Sequence, residues 1–120
     1  MSHKPYIEVF ERESDFRVRY RLFAQDEGGR YMPAFQGIRW NFWYPDHPTG
    51  QHFMIYPEFE DSEGNVLDSE IPITSEGFAN MWILNPDYFD YHKERLKVGT
   101  KGTFNEGKPI AECEVVKLNF

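Results

Sequence analysis

The chain has 120 residues, with 20 Asp and Glu against 13 Lys and Arg, a net charge of −7 and a single Cys. That length holds one domain, residues 1–120, with one modest core. The lone Cys excludes an internal disulfide framework and a thiolate zinc cluster, and the apolar runs are too short for a membrane-spanning helix. No apolar signal core follows Met1-Ser2-His3-Lys4-Pro5, so a cytoplasmic location is expected.

Tyr6 to Phe10 is expected to be a short strand. From Phe16 to Ala24 the pattern alternates. Phe16, Val18, Tyr20, Leu22 and Ala24 share one face, and Arg17, Arg19 and Arg21 share the other. Period two over nine residues predicts a half-buried strand. Asp26-Glu27-Gly28-Gly29-Arg30-Tyr31-Met32-Pro33 is a turn with two glycines available for positive φ. Ile38 to Tyr44 alternates again, and Phe53 to Phe59 predicts a third strand that Pro57 pushes toward an edge or bulge. Asp61-Ser62-Glu63-Gly64-Asn65 is a turn, and Phe78 to Leu84 is a further strand. Asn85-Pro86-Asp87 then offers a cap residue, Pro at the first helical position and acids before bases, which predicts one short helix over 86–96. Lys101 to Phe104 and Ile110 to Leu118 read as a closing hairpin around Asn105-Glu106-Gly107-Lys108. Many short strands with Gly turns predict an all-β fold, a small closed antiparallel barrel of about six strands with one short inserted helix.

The charge is uneven along the chain. Residues 1–40 sum to +1 and residues 91–120 to +2, whereas residues 41–90 carry ten acids, no Lys or Arg and a sum of −10. An acidic segment of this kind suits either a solvated surface or a basic protein partner.

The run from Asp26 to Tyr44 resembles the start of the C-terminal β-barrel domain of elongation factor Tu, which has a Glu-Gly-Gly-Arg turn, then Pro-x-Phe, a Gly, and an Arg before an aromatic strand. Gly102 to Ala111 resembles that domain's final hairpin. The two matches fall in order between Phe16 and Val116, and Phe78 to Lys97 reads as an insertion. The resemblance implies a six-stranded barrel that binds without catalysing, with two glycine turns that approach the T stem of aminoacyl-tRNA. Gly28, Gly29 and Arg30 match the first turn, but Tyr31 and Met32 replace its His and Thr. In the second turn Glu106, Gly107 and Lys108 keep one Gly fewer and exchange Arg for Lys. No phosphate-cradling GxxxxGK[ST] loop accompanies the barrel.

Two binding surfaces follow. The first takes a protein partner, a basic one being implied by the acidic segment, through Glu58, Glu60, Asp61, Glu63, Trp82, Tyr88 and Tyr91, because Trp and Tyr dominate interface energetics. The same aromatic segment also suits a plug at one barrel mouth, with Phe89 and Trp82 inward. The alternative surface takes RNA or tRNA through Arg30, Lys108, Arg17, Arg19 and Arg21, although cross-strand pairing with Glu112 or Glu114 competes for these cations. No catalytic residue, metal or cofactor is expected. Asp46, His47 and His52 have no metal-ligand spacing, Cys113 is flanked by Glu112 and Glu114 and reads as a small core residue, and no serine stands in GxSxG.

Overall fold

A computed structural model describes residues 3–51 and 53–120. Six strands form one antiparallel sheet: β1 (Phe16–Leu22), β2 (Asn41–Trp43), β3 (Ile55–Phe59), β4 (Glu76–Ile83), β5 (Lys101–Asn105) and β6 (Pro109–Leu118). The spatial order is β2-β5-β6-β1-β4-β3. The two edge strands, β2 and β3, approach with Cα atoms within 8 Å, so the sheet nearly closes into a barrel. The fold class therefore follows the sequence expectation.

The register explains the alternation. Phe16, Val18 and Tyr20 are buried, while Arg17, Arg19 and Arg21 lie on the outer face. Arg19 stands opposite Glu114 and Arg21 opposite Glu112 on β6. Inside, aromatic rings meet edge to face, as with Tyr20 on Phe59 at 5.2 Å and Trp40 on Phe59 at 5.8 Å between centroids. Such pairs add to the area term of burial. At Gly102, a Cβ would lie 2.4 Å from the Phe42 ring, so only glycine lets β5 pass this close to the core. The open edge of β3 is capped by a side chain. Gln36 Oε1 accepts from Phe59 N–H, and Gln36 Nε2 donates to Phe59 O, each at 2.8 Å, in imitation of a neighbouring strand.

Two expectations are corrected. Tyr6–Phe10 is a one-turn helix, α1, not a strand. Tyr6 and Phe10 sit four residues apart and pack together on Trp82, an arrangement that helical spacing provides and strand spacing does not. The second predicted strand shrinks to Asn41–Trp43; Ile38 to Trp40 stay outside the ladder although Trp40 is buried. The predicted helix is present as a 3₁₀ turn over Pro86–Tyr88 followed by α2 (Phe89–Arg95), and Asn85 caps it by accepting from Asp87 N–H.

The strand directions give the barrel two unlike ends. The Asp26–Arg30 and Glu106–Lys108 turns and the 60–75 loop lie at one, here called the turn end. The start of β3, the end of β4 and α2 lie at the other, the helix end.

Candidate functional site

At the turn end, the chain builds a cavity of about 330 Å³ lined by Leu22, Phe23, Arg30, Tyr31, Met32, Pro33, Ala34, Trp40, Ile73 and Ile110. The glycine pair positions it. Gly28 has φ +91°, and a Cβ on Gly29 would fall 1.9 Å from the Phe23 carbonyl oxygen. The chain therefore folds tightly back on the end of β1 and delivers Arg30 and Tyr31 to the barrel mouth. A hydrogen bond from Ile73 N–H to Ala34 O at 2.8 Å ties the 60–75 loop to the same rim. Trp40 is a buried part of the lining, and its Nε1–H donates to Glu106 at 2.7 Å. Tyr31 and Met32 are 79% and 71% exposed, unusual for large apolar side chains beside each other.

Arg30 is the one charged residue of the lining. Its Nε lies 3.4 Å from Glu106 Oε1, and its guanidinium lies 5.7 Å from the Trp40 ring centre. Its Nη1 is enclosed and has no hydrogen-bond partner among the described residues. The ion pair with Glu106 brings the two glycine turns side by side.

The helix end is filled instead. Leu96 and His92 are buried, and Tyr88, Phe89 and Tyr91 pack against the core. His92, at 0% exposure, shares a hydrogen bond of 2.7 Å between its Nδ1 and the Tyr44 hydroxyl. Its Nε2 has no partner among the described residues. Burial, then the nearby Arg95 and His47, lower its pKa to about 4, so the ring is neutral at pH 7. Burial raises the Tyr44 hydroxyl well above its ordinary value. Arg95 stacks on Tyr44 and Tyr91 and pairs with Asp46. His47 stacks on Trp43 at 4.3 Å and hydrogen-bonds Gln51 O, while His52 lies outside the described residues. Among the described residues, no three His, Cys, Asp or Glu side chains gather as a metal site. The plug is centred on His92 and Leu96, with Phe89 packed partly buried beside them, whereas Trp82 is buried under Tyr6 and Phe10 of α1.

The predicted acidic and aromatic surface is divided. Trp82 is 2% exposed because α1 covers it, so it offers nothing to a partner. Glu58 is 4% exposed and accepts from Tyr6 N–H at 2.7 Å while contacting His3 at 2.6 Å. Both belong to the contact between the N-terminal segment and the β3–β4 face. Glu60 pairs with Arg17 at 2.6 Å and accepts from Asn80. Asp61 turns inward to accept from Glu63 and Asn65 N–H, and Glu63 is exposed. Tyr88 and Tyr91 stand at the far end of β3, against Phe53. The seven residues therefore do not make one patch.

The basic stripe is largely neutralised. Arg17 pairs with Glu60, Arg21 with Glu27 and Glu112, and Arg30 with Glu106. Hydrogen bonds from Arg21 hold the Glu27 carboxyl down at about 2. Glu114 is held low by the Lys101 ammonium, with a smaller contribution from Arg19. Arg19, Arg21 and Lys101 line an open groove of about 710 Å³ on the outer face together with Glu76, Glu112 and Glu114, so that acids match the cations. Lys108 is exposed in its turn. Cys113 lies buried in β6, and burial, followed by Glu112, pushes its thiol well up, away from nucleophilic use.

No protein-family model matches the sequence, and no curated protein matches it either. No helix among the described residues is long and apolar enough to cross a membrane.

Proposed function

We propose that the chain is a non-enzymatic binding module that recognises a protein partner at the turn end of the barrel. One observation carries the reading: Tyr31 and Met32 stand exposed over a cavity lined by Trp40, Ile73 and Ile110. Exposed apolar side chains beside a preformed apolar pocket with one convergent charge describe a recognition site. The acidic surroundings set the partner's charge. Glu63, Asp68 and Glu70 are exposed in the loop between β3 and β4, which returns to this same end. A segment with basic residues around an apolar anchor complements them.

The elongation-factor resemblance belongs to this proposal as a likeness of architecture. Its support is the pairing of Arg30 with Glu106, which sets the two glycine turns together at one barrel end. The RNA alternative gains less. Arg17 and Arg21 already hold carboxylates at hydrogen-bond distance, and a phosphate would have to displace them.

Selection from a random peptide display library tests the reading. The wild-type domain is expected to enrich basic peptides with a large apolar residue, and a Tyr31→Ser/Met32→Ser variant is expected to lose them. Enriched peptides that bind the variant equally well would place recognition elsewhere.

A further inference from the structure

The cavity at the turn end combines an apolar interior with one under-used cation. Trp40, Ile73 and Ile110 contribute surface without charge, and Arg30 is the lining residue that carries one. A guanidinium has five donor N–H groups and no acceptor. The Arg30 Nε contact to Glu106 is 3.4 Å, long against the 2.7–2.9 Å usual for charge-assisted bonds, and Nη1 is enclosed with no partner. Glu106 is poorly placed to supply the missing acceptor, because its Oε2 already accepts from Trp40 Nε1–H at 2.7 Å. Glu106 is not among the residues that line the cavity, whereas Arg30 is. Turning the guanidinium toward an occupant gives up the loose Glu106 contact and shifts it from its place 5.7 Å over the Trp40 ring.

An enclosed donor left without an acceptor is costly, and an occupant that supplies one gains that cost back as affinity. The volume, about 330 Å³, suits one large side chain with its backbone rather than an extended helix. Apolar contact and anion must therefore arrive on nearly the same atoms. A chain's C-terminal residue meets that requirement, since its side chain and its free carboxylate leave one Cα. Resting on the reading of this site as a protein-recognition surface, we infer that the pocket captures the C-terminal residue of a partner chain, with a large apolar side chain beside Trp40 and its α-carboxylate on Arg30. The exposed acids Glu63, Asp68 and Glu70 belong to the loop at the same barrel end, and basic residues before the terminus suit them best.

Fluorescence polarisation with labelled basic octapeptides ending in Phe tests this. Three forms are compared: free acid, C-terminal amide, and the same peptide extended by two glycines. The free acid is expected to bind about tenfold more tightly than the other two, the weight of one charged hydrogen bond. Arg30→Gln is expected to erase the difference between acid and amide while leaving the folded spectrum unchanged, and Arg30→Lys to restore part of it. Equal binding of all three forms overturns the carboxylate claim and leaves protein recognition at this end standing. Absence of binding by any form to the wild type, with Tyr31→Ser/Met32→Ser likewise indifferent to displayed peptides, overturns both. Binding of free 3-phenylpropanoate as tightly as the peptide acid overturns the choice of a protein terminus as the ligand.

Discussion

The two ends of the barrel are closed by opposite means. At the helix end, α2 lays His92 and Leu96 into the core, and Tyr44, Phe53, Tyr91 and Arg95 stack around them. At the turn end, loops bring Tyr31 and Met32 over a cavity and leave them in solvent. Burial of rings and aliphatic groups is how a small domain gains stability, whereas exposed apolar groups beside a cavity gain nothing until something covers them. The contrast teaches a division: the apolar groups of the helix end are covered and hold the fold, whereas those of the turn end are uncovered, and it is there that we propose binding.

Substitutions at the two ends should therefore separate stability from recognition. Leu96→Ala is expected to have the largest effect, a loss of about 2–5 kcal/mol in urea unfolding, with peptide binding retained below the transition. Gly29→Ala places a Cβ against the Phe23 carbonyl oxygen and is expected to cost about 1–3 kcal/mol. Unlike Leu96→Ala, it should also weaken binding, because the turn it distorts carries Arg30 and Tyr31.

Acid sharpens the comparison. His92 is neutral and buried, with a folded pKa near 4 against an ordinary 6.5. The unfolded chain takes up the proton first, so stability is complete above pH 6.5 and falls as pH drops toward 4. The loss is on the order of 3 kcal/mol, the pKa difference expressed as free energy. His92→Gln, which keeps a partner for Tyr44, should flatten that window. Losses below about pH 4.5 belong to paired carboxylates such as Glu27 and should survive the substitution. The smallest effect on stability is expected at the turn end, where Tyr31→Ser and Met32→Ser should each shift unfolding by less than about 0.5 kcal/mol.

The sequence carried the strands far better than the site. Phe16 to Leu22 was legible because one face is buried and the other solvated, so alternation survives in the residue types. The 86–96 helix was legible from its Asn cap and Pro. Tyr6–Phe10 was not, because in five residues the two apolar ends fit either period, and only Trp82, far along the chain, decides between them. The acids misled for a related reason. Glu58 and Glu60 look free along the chain, yet their partners, Tyr6 and Arg17, come from the N-terminal part and appear only when the barrel closes. The cavity itself joins residues 30–34 to residue 73 and residue 110, and no local pattern records that meeting.

The central claim is that recognition belongs to the turn end. Titrating ¹⁵N-labelled protein with the basic, Phe-terminated peptide acid and following amide and indole N–H shifts tests it most directly. The account predicts shifts at Arg30, Tyr31, Met32, Ile73, Ile110 and the Trp40 indole, with Tyr44 and residues 91–96 unmoved. Shifts concentrated at His92 and its neighbours, or spread over the outer Arg face, would contradict it.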